Sequence, residues 1–271
     1  MNKIAIHSVP RSGSTWLGNI FNSHPKVNFN YQPLFSYAFK SALNEHSSKI
    51  EIDTFFRKLS ENDDTFIKQT DGIRKGIIPD FKKSDVYTHI CYKEVRYHNI
   101  LKNVLEKDKE IKVIGLVRNP FSTINSWLNA PREFRGDLGW KVEEEWRFAP
   151  QKNLNKPEEY NGYEKWKEAT YVFVELSKKY QNQFYLLNYD DLLNDVNLTI
   201  NRVFSFCELD VPIQTYNFIN PKTTINQQDA YSVFKSKKED NEWVEKLSQS
   251  IIEEIKKDND FQKLNECFKW I

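Results

Sequence analysis

The sequence contains little cysteine, glycine and proline, and it has no long apolar run. Its three cysteines, Cys91, Cys207 and Cys267, lie far apart without metal-ligand spacing, which predicts free thiols and a reducing, cytoplasmic location. No apolar segment approaches the roughly 20 residues that cross a bilayer, and no basic stretch followed by an apolar one precedes the first strand pattern. We therefore expect neither a transmembrane helix nor a signal peptide.

Neither sign of charge dominates the chain. There are 39 Lys and Arg residues against 38 Asp and Glu residues, a formal net charge of +1, so no global field attracts nucleic acid and we expect no nucleic-acid partner. A polyanionic ligand would need a local basic site. Aromatic residues make up 14% of the chain, which suits both a packed core and the walls of a ligand cleft.

Short apolar segments alternate with helical patterns along the chain. Alternating strands and helices predict an α/β fold, in which one domain over residues 1–271 has a central, mainly parallel sheet flanked by helices. Ligands of such sheets bind beyond the carboxyl ends of the strands, so the loops after Val9 and Val117 are the expected site. The predicted strands are 3–9, 88–95, 111–117 and 183–189, and the predicted helices include 14–21, 162–180 and 199–209.

The segment PRSGSTW follows the first predicted strand and opens a helix. Gly13 lets the backbone approach a ligand closely, and the unpaired N–H groups of a helix start attract anions. Ser12, Ser14 and Thr15 add hydroxyl donors, and the planar guanidinium of Arg11 suits phosphate or sulfate. An ATP- or GTP-binding loop would end in Gly-Lys-Ser/Thr, so this P-loop-like segment is expected to hold another anion. The alternative is a serine-capped helix with Arg11 at the surface.

A second basic motif, VRNPFSTINS, directly follows the third predicted strand. Asn119 can cap the next helix and Pro120 suits its first turn, which places Arg118 at the carboxyl end of the strand. Ser126 lies about two helical turns further and can face the same crevice. The alternative is an arginine paired with a carboxylate and a serine that faces solvent.

Together the two motifs resemble the PAPS-binding motifs of the sulfotransferase family, PAPS being 3'-phosphoadenosine 5'-phosphosulfate. PRSGSTWL resembles the loop that binds the 5'-phosphosulfate, and VRNPFSTINS resembles the motif that binds the 3'-phosphate. Residues 189–210 are similar to a third family segment, in which an aromatic residue lies near the adenine. Residues 232–247 resemble a late segment of bacterial and carbohydrate sulfotransferases, so the resemblance covers most of the chain.

The resemblance implies an α/β enzyme that transfers a sulfuryl group from PAPS to a hydroxyl acceptor, without a metal, and releases the desulfated nucleotide PAP. Arg11 would stabilise the leaving group, and it stands where cytosolic small-molecule members usually carry Lys. With Arg11 at this position and PLF after the loop helix, the sequence resembles carbohydrate sulfotransferases more closely, which implies a sugar acceptor. The residues implied to bind PAPS are Arg11, Ser12, Gly13, Ser14, Thr15, Trp16, Arg118, Ser126, Tyr189, Ser232 and Lys235.

Sulfuryl transfer to a hydroxyl needs a general base that takes the hydroxyl proton. Some related enzymes carry this base as a Glu at the position of Gln32, and Gln cannot act as a base. The second predicted strand offers Glu94 near its carboxyl end and His98 shortly after it, and these are the expected catalytic residues. The alternatives are an ion pair of Glu94 with Lys93 or Arg96, and a structural His98 at a helix start.

Two other functions stay open at this stage. A PAP- or PAPS-binding module without catalysis is compatible with Gln32 in place of an acidic residue. A nucleoside or sugar kinase-like phosphotransferase would share the α/β core, but the missing Gly-Lys-Ser/Thr sequence disfavours it. Residues 131–160, polar and rich in tryptophan, are too long for a plain connection. They are either a lid or acceptor-binding insertion, or a surface helical excursion.

Overall fold

A parallel sheet forms the centre of the computed structural model, which describes residues 1–221 and 239–271. Its strands lie in the order β2-β3-β1-β4-β5, and each neighbouring pair is parallel. This confirms the predicted α/β fold with a central parallel sheet. The strands are β1 (Asn2–Ser8), β2 (Val27–Tyr31), β3 (His89–Glu94), β4 (Lys112–Val117) and β5 (Phe184–Asn188).

Helices flank the sheet, and three short 3-10 turns accompany them in the described residues. Within 1–221 and 239–271, every helix is too short or too polar to cross a membrane. The α-helices are α1 (Ser14–Asn22), α2 (Lys49–Ser60), α3 (Thr70–Arg74), α4 (Leu101–Lys107), α5 (Pro120–Leu128), α6 (Val142–Glu145), α7 (Pro150–Asn153), α8 (Tyr163–Lys179), α9 (Tyr189–Asn194), α10 (Val196–Phe206), α11 (Ile213–Ile219), α12 (Trp243–Lys246), α13 (Gln249–Lys257) and α14 (Asn259–Phe268). The 3-10 turns are Pro33–Phe35, His98–Ile100 and Gly136–Leu138.

Strand β2 is the strand that the sequence analysis missed. Its sequence, VNFNY, places two asparagines in a short segment beside a helix stop, and asparagine is depleted in strands. Both asparagines are nevertheless buried, because Nζ of Lys68 donates hydrogen bonds to Oδ1 of Asn28 and of Asn30, each at 2.8 Å. A polar contact with a distant residue therefore stabilises a strand that its own composition does not indicate.

Alternating side chains of the strands build two apolar cores, one on each face of the sheet. On β1, Ile4 and Ile6 enter one core, which also contains side chains of α1 and α10. Ala5 enters the other core, with side chains of α5 and α8. Because both faces are covered, the central strands are apolar along most of their length.

The sheet order creates a crevice beside β1. Strand β1 pairs with β3 on one side and with β4 on the other. Helix α1, which follows β1, packs into one core, whereas α5, which follows β4, packs into the other. The loops after β1 and β4 therefore separate toward opposite faces, and the gap between them is the position where open parallel sheets bind ligands.

Candidate active site

The loop between β1 and α1 has a backbone that few residue types tolerate. Gly13 has a φ of +84°, and a Cβ at this position would lie 2.3 Å from Cε2 of Tyr189, so conformation and space both require glycine. Arg11 also has a positive φ, 68°, which is strained for a residue with a side chain. No described side chain caps α1, and the backbone N–H of Trp16 donates to the carbonyl oxygen of Gly13 at 3.0 Å. The N–H groups of Ser14 and Thr15 are the first-turn groups left to bind an anion.

Arg11 joins the two predicted anion motifs. Its Nε donates a hydrogen bond to Oγ of Ser126 at 3.1 Å, and its Nη1 lies 3.5 Å from Oε1 of Glu133. In the opposite direction, Nη1 of Arg118 donates to the carbonyl oxygen of Arg11 at 2.6 Å. The loop after β1 and the helix after β4 therefore form one basic site.

Arg118 follows β4 and is paired with a carboxylate, as in the alternative considered from the sequence. Its Nε donates to Oδ2 of Asp240 at 2.7 Å, and its Nη2 bonds Oδ1 of the same carboxylate. Burial lowers the pKa of Arg118, but the hydrogen bonds and charge of Asp240 outweigh it and leave this pKa raised. The guanidinium thus holds an anion through two parallel bonds, a geometry that also suits phosphate.

Tyr189 lies beneath the anion loop. Its ring is buried against Gly13, and the guanidinium carbon of Arg118 lies 5.0 Å from the ring centre. The ring of Trp16 meets it edge-on, with the centroids 6.3 Å apart. Burial raises the pKa of Tyr189 to about 12. The ring therefore supports the loop and the arginine from below.

A cleft of about 630 Å³ opens at this edge of the sheet. Ser12 is not among its lining residues: it is fully buried, and its Oγ has no partner among the described residues. Ser232 and Lys235, also predicted to bind PAPS, lie outside the described residues. The predicted PAPS-binding residues that do line the cleft are Arg11, Gly13, Ser14, Thr15, Trp16, Arg118 and Ser126.

Glu94, a predicted catalytic residue, does not line the cleft. It is fully buried at the end of β3, and its Oε1 accepts a hydrogen bond from the backbone N–H of Leu34 at 2.7 Å. Its Oε2 has no partner among the described residues, and burial raises the pKa of this carboxyl. A buried carboxyl without access to the cleft is poorly placed to take a proton from an acceptor.

His98 is the other residue predicted to be catalytic. It is buried beside His7 and does not line the cleft. Nδ1 of His7 lies 3.0 Å from Nδ1 of His98, and Nε2 of His7 lies 3.2 Å from the hydroxyl oxygen of Tyr92. Burial lowers the pKa of both imidazoles, that of His7 to about 3. The pair is therefore buried away from the cleft, and the catalytic role expected of His98 stays a prediction.

Lys93 is a cleft residue that the sequence analysis did not assign. Side chains alternate along a strand, so Lys93 points to the side of β3 opposite to Glu94. It lines the cleft, is only 2% exposed, and has its Nζ 4.6 Å from the ring centre of Tyr31. Burial lowers the pKa of Lys93. The alternation of side chains along a strand is the sequence signal that could have shown that Lys93 and Glu94 point to opposite sides.

Gln32 and Arg96 form a polar wall of the cleft. Oε1 of Gln32 accepts a hydrogen bond from Nη1 of Arg96 at 3.2 Å, and Nε of Arg96 donates to Oε1 of Glu159 at 2.8 Å. The guanidinium carbon of Arg96 lies 4.2 Å from the ring centre of Phe35. The position of Gln32 therefore presents an amide, held by an arginine, to the space where a ligand would lie.

Residues 131–160 supply three charged side chains to the cleft: Arg132, Glu133 and Lys152. Glu133 contacts Arg11 from the loop after α5, and Lys152 lies on α7, where burial lowers its pKa. No sequence motif marks these residues, because the fold alone brings them to the anion loop. The segment forms short helical turns, and its role as a lid or acceptor-binding insertion stays a prediction.

A protein-family model described as a sulfotransferase domain matches residues 1–268. This chain therefore belongs to the sulfotransferase family, which confirms the family that its two anion motifs indicate. No curated protein sequence matches it.

Solved sulfotransferase structures share the fold. Mouse sulfotransferase SULT7A1 complexed with PAP is 15% identical, with a TM-score of 0.53 over 98% of this chain and 88% of that chain. The sulfotransferase domain of the Synechococcus PCC 7002 olefin synthase is 16% identical, with a TM-score of 0.56 over 100% and 95%. Retinol dehydratase in a complex with retinol and PAP is 13% identical, with a TM-score of 0.54 over 97% and 80%. At these identities the likeness establishes the fold.

We expect Gly13→Ala to destabilise the protein more than Gly139→Ala does. Both glycines have positive φ, +84° and +82°, but a Cβ at Gly139 meets nothing within 4 Å. Gly139→Ala should therefore cost only the backbone strain, about 1 kcal/mol, whereas Gly13→Ala adds the clash with Tyr189, about 1–3 kcal/mol more. Urea unfolding of both variants measures the difference, and equal losses would contradict the packing described for this loop.

We expect the free energy of unfolding to fall as the pH drops below about 6.5. The His7 imidazole takes up a proton there in the unfolded chain, but in the folded chain its pKa is about 3. The contribution of His7 to the free energy of unfolding is therefore fully present above pH 6.5. By pH 5, protonation of His7 in the unfolded chain lowers the free energy of unfolding by about 2 kcal/mol. His7→Gln should flatten the pH dependence of urea unfolding between pH 7 and 5, while His46→Gln, at an exposed site, should not. An unchanged slope in His7→Gln would show that His7 is not buried as a neutral imidazole.

Proposed function

We propose that this sulfotransferase transfers a sulfuryl group from PAPS to a hydroxyl group of a carbohydrate. The observation that carries the proposal is the junction of the two anion motifs, in which Arg118 bonds the carbonyl oxygen of Arg11 at 2.6 Å and Arg11 bonds Ser126 at 3.1 Å. One cleft thus offers two arginines and a helix start to a ligand with two anionic ends. The mouse sulfotransferase and retinol dehydratase structures both contain PAP, which supports the same nucleotide here.

The donor end of the cleft is assigned to Arg11, Arg118 and the start of α1. PAPS supplies an activated sulfuryl group, and its transfer leaves negative charge on the 5'-phosphate. We assign Arg11 and the first-turn N–H groups of α1 to the stabilisation of that charge, because they are already oriented toward the cleft. Arg118 and Ser126 are assigned to the 3'-phosphate, and Trp16 to the wall of the nucleotide site. Ser232 and Lys235 stay candidates for the 3'-phosphate.

Lys93 is assigned to the charge that develops between donor and acceptor. It shares the cleft with Arg11, and its ammonium group has no hydrogen-bond or ion-pair partner in the described part of the chain beyond the face of the Tyr31 ring. A cation that is buried in low dielectric acts more strongly on a nearby anion than an exposed one does. Binding of the anionic donor would keep Lys93 protonated, since an opposite charge favours the charged form.

The opposite end of the cleft supports a sugar acceptor. The ring of Phe66 has its centroid 5.5 Å from that of Tyr31 and 6.0 Å from that of Phe35. Phe35 and Phe66 are 48% and 41% exposed, so their rings can pack on the apolar face of a sugar. Gln32 and Gln69 also line the cleft and offer amide groups to sugar hydroxyls.

A PAP- or PAPS-binding module without catalysis is the second candidate. The burial of Glu94 and the amide of Gln32 favour it, since neither of these two positions offers an accessible carboxylate. Sulfuryl transfer from PAPS by the wild-type chain would decide against this candidate. The kinase alternative has no support beyond the shared α/β core, because the chain belongs to the sulfotransferase family.

The proposed scheme uses no metal and places the enzyme in the cytoplasm. The location rests on the cysteines: Cys91, Cys207 and Cys267 are all free, and the first two are buried. Free thiols are usual in a reducing compartment.

Arg118→Ala is expected to weaken PAP binding at least tenfold, or by about 1.4 kcal/mol. The variant removes the guanidinium that would hold the 3'-phosphate through two hydrogen bonds. Calorimetric titration of the wild type and the variant with PAP measures the change.

The matched control for this titration is Arg57→Ala, at an exposed arginine of α2, which should bind PAP like the wild type. Equal affinity of Arg118→Ala and the wild type would contradict the assignment of the 3'-phosphate to this arginine. No binding of PAP to the folded wild type would contradict the proposed function itself.

Asp240→Asn is expected to tighten PAP binding, by roughly fivefold, because a carboxylate that occupies the Arg118 guanidinium competes with the 3'-phosphate. The amide keeps the size of the side chain and removes its charge. The same titration measures the effect, with Glu239→Gln at the neighbouring exposed residue as the control. Weaker binding in Asp240→Asn would mean that Asp240 orients Arg118 for the nucleotide instead of competing with it.

A further inference from the structure

The proposed sulfuryl transfer, on which this inference rests, needs a group in the cleft that takes the proton of the acceptor hydroxyl. No histidine is among the described residues that line the cleft, and only two carboxylates are, Asp71 and Glu133. The Asp71 side chain is 76% exposed at the rim and lies 3.5 Å from Arg74. Glu133, in contrast, is 26% exposed and lies inside, next to Arg11.

Glu133 shares the cleft with residues assigned to its donor end and to its acceptor end. On the donor side, its Oε1 is 3.5 Å from Nη1 of Arg11, the arginine assigned to the leaving group. On the acceptor side, Glu133 lines the same cleft as Tyr31 and Lys152, and Lys93 lines that cleft as well. A carboxylate that lines this cleft beside Arg11 therefore faces the space where donor and acceptor must meet.

We propose that Glu133 is the general base of this enzyme. In the transfer step, a lone pair of the acceptor hydroxyl oxygen forms a bond to the sulfur atom. The bond between sulfur and the bridging oxygen of the 5'-phosphate breaks, and its electron pair stays on the phosphate. The hydroxyl proton passes to the carboxylate of Glu133, which later releases it to water.

The contact with Arg11 gives this base its position. Nη1 of Arg11 lies 3.5 Å from Oε1 of Glu133 and so holds the carboxylate inside the cleft in which donor and acceptor must meet. Glu133 therefore meets the geometric requirement that Glu94, buried under Leu34, does not meet.

The test uses the 271-residue chain, radiolabelled PAPS, and water and glycerol as hydroxyl acceptors. Single-turnover release of labelled sulfate and formation of labelled glycerol sulfate are measured with the enzyme in excess, and PAP affinity is measured in parallel. Glu133→Gln should lower the transfer rate about 100-fold or more, while PAP binding is not weakened, since the lost charge faces Arg11 as that of Asp240 faces Arg118. Glu143→Gln, at an exposed glutamate of the same 131–160 segment, is the matched control and should transfer at the wild-type rate.

A second variant separates a base from a merely structural carboxylate. Glu133→Ala leaves space for a small carboxylate, so added formate should restore part of its transfer rate and should not restore that of Glu133→Gln. Wild-type transfer by Glu133→Gln, or a loss that formate does not relieve in Glu133→Ala, would overturn the role of Glu133. If the wild type binds PAP, either of these results would contradict the role of Glu133 and not the donor site. If the wild type does not bind PAP, the proposed function is contradicted as well.

Discussion

The hydrogen bond from Arg118 to the carbonyl oxygen of Arg11 is the contact on which the candidate active site depends. The loops after β1 and β4 separate toward opposite faces of the sheet, and this bond ties them together where they diverge. At this contact Arg11 has a left-handed backbone, with a φ of 68°. Because the loop is strained there, the surrounding packing has to hold it, and the buried ring of Tyr189 under Gly13 does so.

The cleft concentrates charge that the chain as a whole balances. A formal net charge of +1 gives no long-range attraction for an anion, yet Arg11, Lys93, Arg118 and Lys152 face the same cleft. Keeping such cations close together in low dielectric is costly without anions. Asp240 pairs with one of them and Glu133 with another. A bound nucleotide would replace Asp240 as the anion on Arg118, whereas Glu133 and Arg11 would lie at the reacting centre.

Most of the fold could be predicted from the sequence, and so could the two anion motifs that meet in the cleft, because local sequence patterns encode them. Apolar strands and hydroxyl-rich helix starts are contiguous in the chain, so their positions follow from short-range patterns. Strand β2 could not be predicted in this way, since its asparagines depend on Lys68, a distant residue. The contact of Glu133 with Arg11 likewise could not be predicted, because it depends on how the chain after α5 folds back to the loop after β1. Lys93 and Glu94 are neighbours in the sequence, and only the alternation of side chains along β3 sets the first toward the cleft and the second away from it.

A crystal structure of the chain in complex with PAP would test the central claim most directly, namely that the two anion motifs form a single nucleotide site. The account predicts the 5'-phosphate at the start of α1 beside Arg11, and the 3'-phosphate within hydrogen-bond distance of Arg118 and Ser126, with Asp240 displaced from the guanidinium. A nucleotide bound outside the cleft, or one that leaves Arg118 paired with Asp240 and its 3'-phosphate elsewhere, would contradict it.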